Sequence, residues 1–228
     1  MRVTVVGASG LIGTRVVDLL TAAGHQVVAS SRATGVDVLT GEGLADALDG
    51  ADTLVDVTNS PSFEDDPVLQ FFTTSATNLT AAAKTAGVGH YVALSIVGVD
   101  RLPDSGYMRA KVAQEQLITA SGLPYSIVRA TQFEEFTKFI IVSMLDGETV
   151  RVPDALIQPI ASNDVAAEVV RVALGTPLNG FEDIGGPAKL SFAELARRVR
   201  GSGATIVVDP AAGYFGSPLA QTSLVVTD

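Results

Sequence analysis

The sequence predicts an α/β fold in which a doubly wound parallel sheet is followed by a small C-terminal cap. Short apolar runs rich in valine alternate with segments whose apolar residues recur at helical spacing. Glycine-containing turns separate these segments, and the pattern changes after about residue 131. Strands interleaved with helices are joined by right-handed crossovers, which produce a parallel sheet with helices on both faces.

Five strands and four helices are expected in the first part of the chain. The strands are placed at residues 2–6, 26–30, 53–57, 90–94 and 125–129. The helices between them are placed at residues 10–23, 41–49, 65–86 and 107–121. Gly24, Gly87 and Gly122 follow three of these helices, and glycine commonly ends a helix.

Residues 131–228 carry shorter elements. We expect an amphipathic stretch at 132–145, a short strand pair at 149–160, a helix at 164–174, a strand at 181–184, a helix at 192–200 and a strand at 205–208. Ser162 or Asn163 is the expected N-terminal cap of the helix at 164–174. This portion is too short for an independent domain, so residues 1–228 are predicted to form a single domain. Its C-terminal portion would cover the carboxyl edge of the sheet, where open α/β sheets bind ligands.

Composition excludes several classes of protein. No apolar run approaches the ~18 residues that a membrane span requires, although mean hydropathy is +0.36. A glycine turn interrupts the N-terminal run where a signal peptide would continue, so we expect a cytoplasmic protein with no membrane partner. The net charge of −10 argues against direct binding to nucleic acid. The absence of cysteine and the wide separation of His25 and His90 argue against a metal site or a Ser-His-Asp hydrolase.

The first strand leads into a turn with three regularly spaced glycines and then into a helix. Gly7 allows the chain to reverse, Gly10 allows backbone to approach a pyrophosphate, and Gly13 allows the helix to pack closely on the strand. The free N–H groups of the helix start, around Ser9, Leu11 and Ile12, would face the anion. A Rossmann-type NAD(P)-binding site is the functional interpretation. The alternative is a tight strand-to-helix turn that binds no ligand.

The end of the second strand bears on the choice between dinucleotides. An acidic residue at this place commonly accepts hydrogen bonds from the ribose of NAD. Here the sequence reads Ala29-Ser30-Ser31-Arg32, with no carboxylate. Arg32 can bind a 2′-phosphate through two hydrogen bonds, and Ser30 or Ser31 can add a hydroxyl. NADPH is therefore favoured over NADH, unless Arg32 is simply a solvated loop cation.

Small polar residues end the third strand. Thr58 and Asn59 follow Leu54-Val55-Asp56-Val57 and can line the adenine-ribose side of the cleft. Both residue types are also common turn formers, so the two interpretations remain open.

Tyr107 and Lys111 are the strongest candidates for catalysis. Their spacing of four places them on one helical face, and Ser95 lies at the end of the preceding strand. An ammonium close to a phenol favours the phenolate, so we expect Lys111 to lower the pKa of Tyr107. In a reductase Tyr107 would protonate a carbonyl oxygen, Ser95 would orient it, and Lys111 would also bind the nicotinamide ribose. The alternative is a Tyr and a Lys that merely share a helix face.

The chain resembles the atypical short-chain dehydrogenase/reductases, in particular their NmrA-like, NAD(P)H-binding branch. The resemblance rests on residues 7–13, 94–100, 107–111, 128–133 and 158–165. It implies that Ser95, Tyr107 and Lys111 match the catalytic residues of that superfamily. It also implies that residues 130–133, including Thr131 and Phe133, run beside the nicotinamide.

Two departures from the family bear on this resemblance. The twelve positions from Ser95 to Tyr107 are fewer than the superfamily usually has. The C-terminal portion is also smaller than in the sugar-nucleotide epimerases that share the glycine turn. Some NmrA-like members lack the Tyr and act as cofactor sensors, whereas this chain keeps it.

The expected substrate is apolar. Phe133, Phe136, Phe139, Ile140 and Met144 follow helical spacing and form either core or pocket, and Phe63, Phe71 and Phe72 are further contributors. The segment 212–216 could close over a ligand or dock on a second copy of the chain, which would make a homo-oligomer. We therefore expect an NADPH-dependent oxidoreductase that transfers hydride to a small apolar carbonyl compound or quinone. The alternatives are a non-enzymatic redox sensor acting on a protein partner and an isomerase or epimerase with tightly bound cofactor.

Overall fold

A computed structural model describes residues 1–227. Its strands are β1 Arg2–Val6, β2 Gln26–Ser30, β3 Thr53–Asp56, β4 His90–Ile96, β5 Tyr125–Ala130, β6 Leu145–Asp146, β7 Thr149–Val152, β8 Leu156–Ile157, β9 Gly180–Ile184, β10 Leu190–Ser191 and β11 Thr205–Val208. Its α-helices are α1 Leu11–Ala22, α2 Leu44–Leu48, α3 Asp65–Ala86, α4 Gly106–Thr119, α5 Thr137–Val142, α6 Ser162–Ala173 and α7 Phe192–Arg200.

The main sheet has six parallel strands in the order β2-β1-β3-β4-β5-β9. The strand β1 lies between β2 and β3, with Val5 opposite Ala29 on one side and Val55 on the other. The direction of winding reverses at this point. A crevice therefore opens beyond the carboxyl ends of the strands, which confirms the predicted doubly wound, Rossmann-type sheet.

Helices cover both faces of the sheet. On one face α1 packs against α6, and Val16 and Val169 are fully buried against Val5. On the other face α3 packs against α4, and Leu79 and Ile118 are fully buried in a second cluster. Strands buried on both sides explain the continuous valine runs and the positive hydropathy. No helix within residues 1–227 is long and apolar enough to cross a membrane.

The C-terminal part corrects the predicted strand pair at 149–160. The strands β7 and β8 in this range do not pair with each other. Instead β7 pairs with β11 in parallel and with β6 in antiparallel orientation, while β8 pairs with β10. Sequence proximity indicates a hairpin, but the pairing is set by apolar packing against α5 and α7, in which Val150 and Val152 are buried.

Three helix boundaries also differ from the predictions. The helix predicted at 41–49 covers only α2, because Gly43 precedes it with a φ of +72°. The stretch 132–145 divides into a short 3₁₀ turn at Glu134–Phe136 and α5, and then enters β6. The helix α6 begins at Ser162, so its cap is Ala161 rather than Ser162 or Asn163. The hydroxyl of Ser162 instead donates to Glu135.

Candidate functional site

A cavity of about 1120 Å³ opens at the carboxyl ends of the parallel strands. It is lined by almost all of the residues that the sequence singled out, namely Gly7, Ser9, Gly10, Leu11, Ile12, Ser31, Arg32, Thr58, Asn59, Ser95, Tyr107, Lys111, Thr131 and Phe133. The glycine turn and the Tyr-Lys pair therefore belong to one site. Two candidates do not line the cavity: Gly13, which lies behind the turn, and Ser30, which is buried at the end of β2.

The glycine turn is packed too tightly for side chains. Gly7 has a φ of +85°, and an added Cβ would lie 2.7 Å from the carbonyl oxygen of Val57. A Cβ on Gly13 would overlap the carbonyl oxygen of Gly7. No side chain caps α1 at Gly10, so the first-turn N–H groups have no partner from the cap. This cradle fits the phosphates of a dinucleotide.

The end of β2 brings Ser31 and Arg32 to the cavity wall. Arg32 begins a 3₁₀ turn and is exposed, and the backbone N–H of Ser31 donates to Thr34 Oγ1 at 2.9 Å. Asp37 also lines this end of the cavity, where it accepts a hydrogen bond from the N–H of Leu39. The sequence does not predict that Asp37 reaches this site, because Asp37 lies seven residues beyond the end of β2.

Asp56, at the end of β3, is the centre of a buried polar network that the sequence reading did not identify. Its carboxylate accepts hydrogen bonds from the Tyr91 hydroxyl at 2.9 Å, from Gln114 Nε2 at 2.9 Å and from the Thr58 hydroxyl at 2.7 Å. The Thr58 hydroxyl thus stabilises the turn after β3, although Thr58 also lines the cavity. A carboxylate inside a valine-rich strand was the available signal for this network.

Tyr107 lies at the cavity wall with its hydroxyl donating to Asn59 Oδ1 at 2.7 Å. Its ring packs between Phe63 and Phe72, at centroid distances of 5.4 and 5.8 Å. Burial raises the pKa of Tyr107 to about 12. The expectation that Lys111 lowers this pKa is therefore wrong, because burial removes the solvation that a phenolate would need.

Lys111 lies one turn further along α4, as its spacing predicts, but its ammonium has other partners. It donates to the carbonyl oxygen of Leu94 at 2.9 Å and to Gln114 Oε1, and it lies 4.5 Å from the centroid of the Phe72 ring. Burial lowers the pKa of Lys111 to about 8, and the charges of Asp56 and Glu115 oppose this shift. Lys111 is therefore a buried ammonium whose pKa lies much closer to neutrality than that of an exposed lysine, and it is still mostly protonated at pH 7.

Two polar atoms at the cavity wall are buried without a hydrogen-bond partner. They are the hydroxyl of Ser95, within β4, and Oε1 of Gln132, just after β5. Buried polar atoms are rarely left unsatisfied in native proteins, so a ligand in this cavity would complete them. Thr131 differs, because its hydroxyl already donates to the carbonyl oxygen of Gln158.

The apolar stripe after β5 divides between cavity and core. Phe133, Phe136, Phe139 and Ile140 line the cavity, whereas Met144 is in the core, and Ile140 is also buried there. The rings of Phe136 and Phe139 are 49% and 63% exposed, which is unusual for residues of this size. A further set of aromatic residues lines the same cavity: Phe63, Phe71, Tyr214 and Phe215. Phe72 is instead fully buried.

A family model described as NAD(P)H-binding matches residues 7–174, which is well over half of the chain. The match runs from the glycine turn to the end of α6. It therefore includes Ser95, Tyr107 and Lys111, while the aromatic segment around Tyr214 lies outside it.

The chain is also similar to two curated proteins that are both named Photosystem II assembly factor Ycf39. It is 26% identical to the protein of Synechocystis sp. in an alignment of 147 residues, and the match covers 58% of this chain and 45% of that protein. It is 27% identical to the protein of Cyanophora paradoxa in an alignment of 165 residues, and the match covers 66% of this chain and 51% of that protein. The chain thus spans about half the length of these relatives.

Solved structures share the fold. The UDP-glucose 4-epimerase of Thermus thermophilus in complex with NAD has a TM-score of 0.71 and 20% identity, and the match covers 98% of this chain and 92% of that one. The dTDP-glucose 4,6-dehydratase DesIV of Streptomyces venezuelae, with NAD bound, has a TM-score of 0.73 and 20% identity, with coverages of 92% and 85%. At these identities the likeness establishes the fold alone.

Proposed function

Since the chain belongs to the NAD(P)H-binding family of NmrA-like, atypical short-chain dehydrogenase/reductases, we propose that it is an NADPH-dependent oxidoreductase. Its substrate would be a small apolar carbonyl compound or a quinone. The observation that carries this proposal is that the glycine cradle, Ser95, Tyr107 and Lys111 line one cavity whose remaining wall is rich in aromatic rings.

The cavity fits a dinucleotide by its shape and its unsatisfied atoms. Gly7 and Gly10 line the cavity at the start of α1, where the backbone N–H groups would bind a pyrophosphate. Ser31 and Arg32 would hold the ribose phosphate that distinguishes NADPH from NADH. The rest of the cofactor site would be lined by Asn59, Lys111, Thr131 and Phe133.

The chemistry follows from the protonation states of the site. A bound reduced nicotinamide supplies a hydride. With a pKa of about 12, the Tyr107 hydroxyl keeps its proton at neutral pH and can donate it to a carbonyl oxygen that takes the place of Asn59 Oδ1. The Ser95 hydroxyl, which has no partner, can donate a second hydrogen bond to the same oxygen. The buried Lys111 ammonium stabilises the negative charge that Tyr107 acquires.

The proposal is tested by titrating the purified protein with NADPH and NADH by fluorescence, and then adding quinones and aromatic aldehydes while nicotinamide oxidation is followed. We expect tighter binding of NADPH and turnover with at least one acceptor class. Tyr107→Phe should reduce kcat by about 10²-fold or more, with little change in NADPH affinity. Tyr125→Phe is the matched control, because Tyr125 does not line the cavity. Full turnover by Tyr107→Phe would exclude the proposed proton donor.

A non-enzymatic dinucleotide sensor is the second candidate. It is favoured by the engagement of the Lys111 ammonium with Leu94 and Gln114 rather than with Tyr107. The two Ycf39 relatives, named as assembly factors, point in the same direction. This candidate predicts tight NADPH binding with no oxidation by any acceptor. An isomerase or epimerase would instead copurify with a cofactor that does not exchange.

A further inference from the structure

The backbone of Phe215 adopts a conformation that bulky residues rarely take. Its φ is +47°, and Gly216 follows with a φ of +84°. The N–H of Tyr214 donates to the carbonyl oxygen of Ser217 at 2.7 Å, and the reverse hydrogen bond measures 3.0 Å. Positive φ at both central residues is the geometry of a type I′ turn, which normally carries Asn or Gly where this chain has Phe215. We call residues 214–217 the aromatic turn.

Packing on both sides holds the aromatic turn in place. Tyr214 is buried against Phe192 of α7, with a centroid distance of 6.3 Å, and Ser217 is also buried. A side chain at Gly213 would lie 3.0 Å from the carbonyl oxygen of Ser217. A surrounding structure that enforces a strained residue is typical of ligand-binding sites.

The constraint places the Phe215 ring at the cavity wall rather than in the core. It stacks on Phe139 of α5 at 5.7 Å with an interplanar angle of 24°. Both residues line the cavity, and both are far more exposed than most phenylalanines, at 48% and 63%. Two separate segments thus present an exposed pair of rings to the cavity.

The aromatic turn is also close to the proposed proton donor. Tyr214 contacts the Phe215 ring at 4.7 Å on one side and lines the same cavity as Tyr107. The ring of Tyr107 also packs against the apolar cluster that contains Tyr214 and Ile140. A ligand on the ring pair would therefore lie next to Tyr107.

The charges of the cavity indicate what kind of ligand fits there. Among the described residues that line it, only Arg32 and Lys111 are cationic. Arg32 follows β2, and Lys111 is tied to Leu94 and Gln114. Among the described residues that line the cavity, neither cation lies on α5 or on the aromatic turn. A sugar nucleotide or another anionic substrate would lack a counter-charge at that wall.

We propose that the aromatic turn determines substrate specificity, with Phe215 and Phe139 holding a planar, uncharged aromatic substrate, a quinone or an aryl ketone, beside Tyr107. The inference rests on the proposed function for the reaction, but the binding of the aromatic ligand can be measured without turnover.

The experiment uses prodan, a neutral planar naphthyl ketone whose fluorescence reports its environment. It is titrated into the full chain saturated with NADPH. Phe215→Leu and Phe139→Leu should each weaken prodan binding about fivefold, since aromatic pairs contribute beyond their buried area. Phe181→Leu is the matched control, because Phe181 is 47% exposed but packs on Arg129 outside the cavity. Phe215→Gly should also lose affinity while the melting temperature stays at or above that of the wild type, because glycine relieves the positive φ.

The outcomes separate this inference from the proposed function. Wild-type affinity for prodan in both Phe215 variants, or an equal loss in Phe181→Leu, would overturn the specificity role. Tighter binding of an anionic naphthalene sulfonate than of prodan would also overturn the specificity role, because the proposed substrate is uncharged. If prodan binding depends on Phe215 but no acceptor oxidises NADPH, the ring pair stands as a binding site and the reductase proposal fails. If quinones are reduced with the same KM by Phe215→Leu and the wild type, the reductase stands and this inference fails.

Discussion

The side-chain amide of Gln114 donates to Asp56 Oδ2 at 2.9 Å while its carbonyl oxygen accepts from the ammonium of Lys111. One neutral side chain thus bridges a buried carboxylate and a buried ammonium. Tyr91 and Thr58 donate to the same carboxylate. Because each member of this network satisfies another inside the core, the network fixes the position of Lys111 at the cavity wall.

Replacing Gln114 tests this bridge. Gln114→Leu leaves both Asp56 and Lys111 short of a buried partner, so we expect the free energy of unfolding to fall by about 2 kcal/mol or more. Gln116→Leu, on the exposed side of the same helix, is the control and should change stability by less than about 0.5 kcal/mol. Urea denaturation measures the free energy of unfolding of both variants. Equal effects in the two variants would show that the bridge contributes nothing specific.

The pH dependence of stability tests the state of Lys111. Burial lowers its pKa from 10.5 to about 8, so between these values the unfolded chain holds a proton that the folded chain has released. Stability contributed by this group therefore rises as the pH increases through that range. We expect the stability of Lys111→Met relative to the wild type to decrease as the pH rises from about 8 to 10.5, because only the wild type gains stability over that range. A difference between the two proteins that does not vary with pH would contradict the shift.

Arg32 is the predicted selector of NADPH. Arg32→Ala should weaken NADPH binding by about tenfold or more while changing NADH affinity little, since the lost hydrogen bonds are charge-assisted. Arg15→Ala is a useful control, because Arg15 lies on α1 and donates to Asn163 outside the cavity. Fluorescence titration with both dinucleotides gives the ratio of NADPH affinity to NADH affinity for each variant. Equal weakening of both dinucleotides would assign the preference to another residue.

Alanine substitutions at two positions of the glycine turn should cause two different defects, one in stability and one in NADPH binding. Gly13→Ala should destabilise the fold by about 1–3 kcal/mol, because the new Cβ overlaps the backbone of Gly7. A Cβ on Gly10 would meet the same carbonyl only at 3.3 Å, so Gly10→Ala should fold but bind NADPH less tightly. Thermal unfolding and dinucleotide titration separate the two variants. If the Gly13→Ala protein is as stable as the Gly10→Ala protein, Gly13 does not pack closely on the backbone of Gly7 as the structure indicates.

Local patterns in the sequence were sufficient for five of the six strands of the main sheet and for most residues of the site. Valine runs, helical spacing and the glycine turn each depend on neighbours within a few residues, and β1 to β5 lie where these patterns place them. Once parallel strands form, their carboxyl ends meet at one edge, so Ser95, Tyr107 and Arg32 had to converge there.

Only the tertiary structure decided which strands pair and which side chains contact each other. The tertiary structure alone explains the pairing of β7 with β11, the hydrogen bond from Gln114 to Asp56 and the stacking of Phe215 on Phe139, because each of them joins segments that are far apart in the sequence. The rise in the pKa of Tyr107 has the same origin, because solvation is lost only when the surrounding helices close over the phenol. The sequence by itself thus determined that the glycine turn, Tyr107 and Lys111 belong to one site, and three-dimensional packing decided what each of them contacts there.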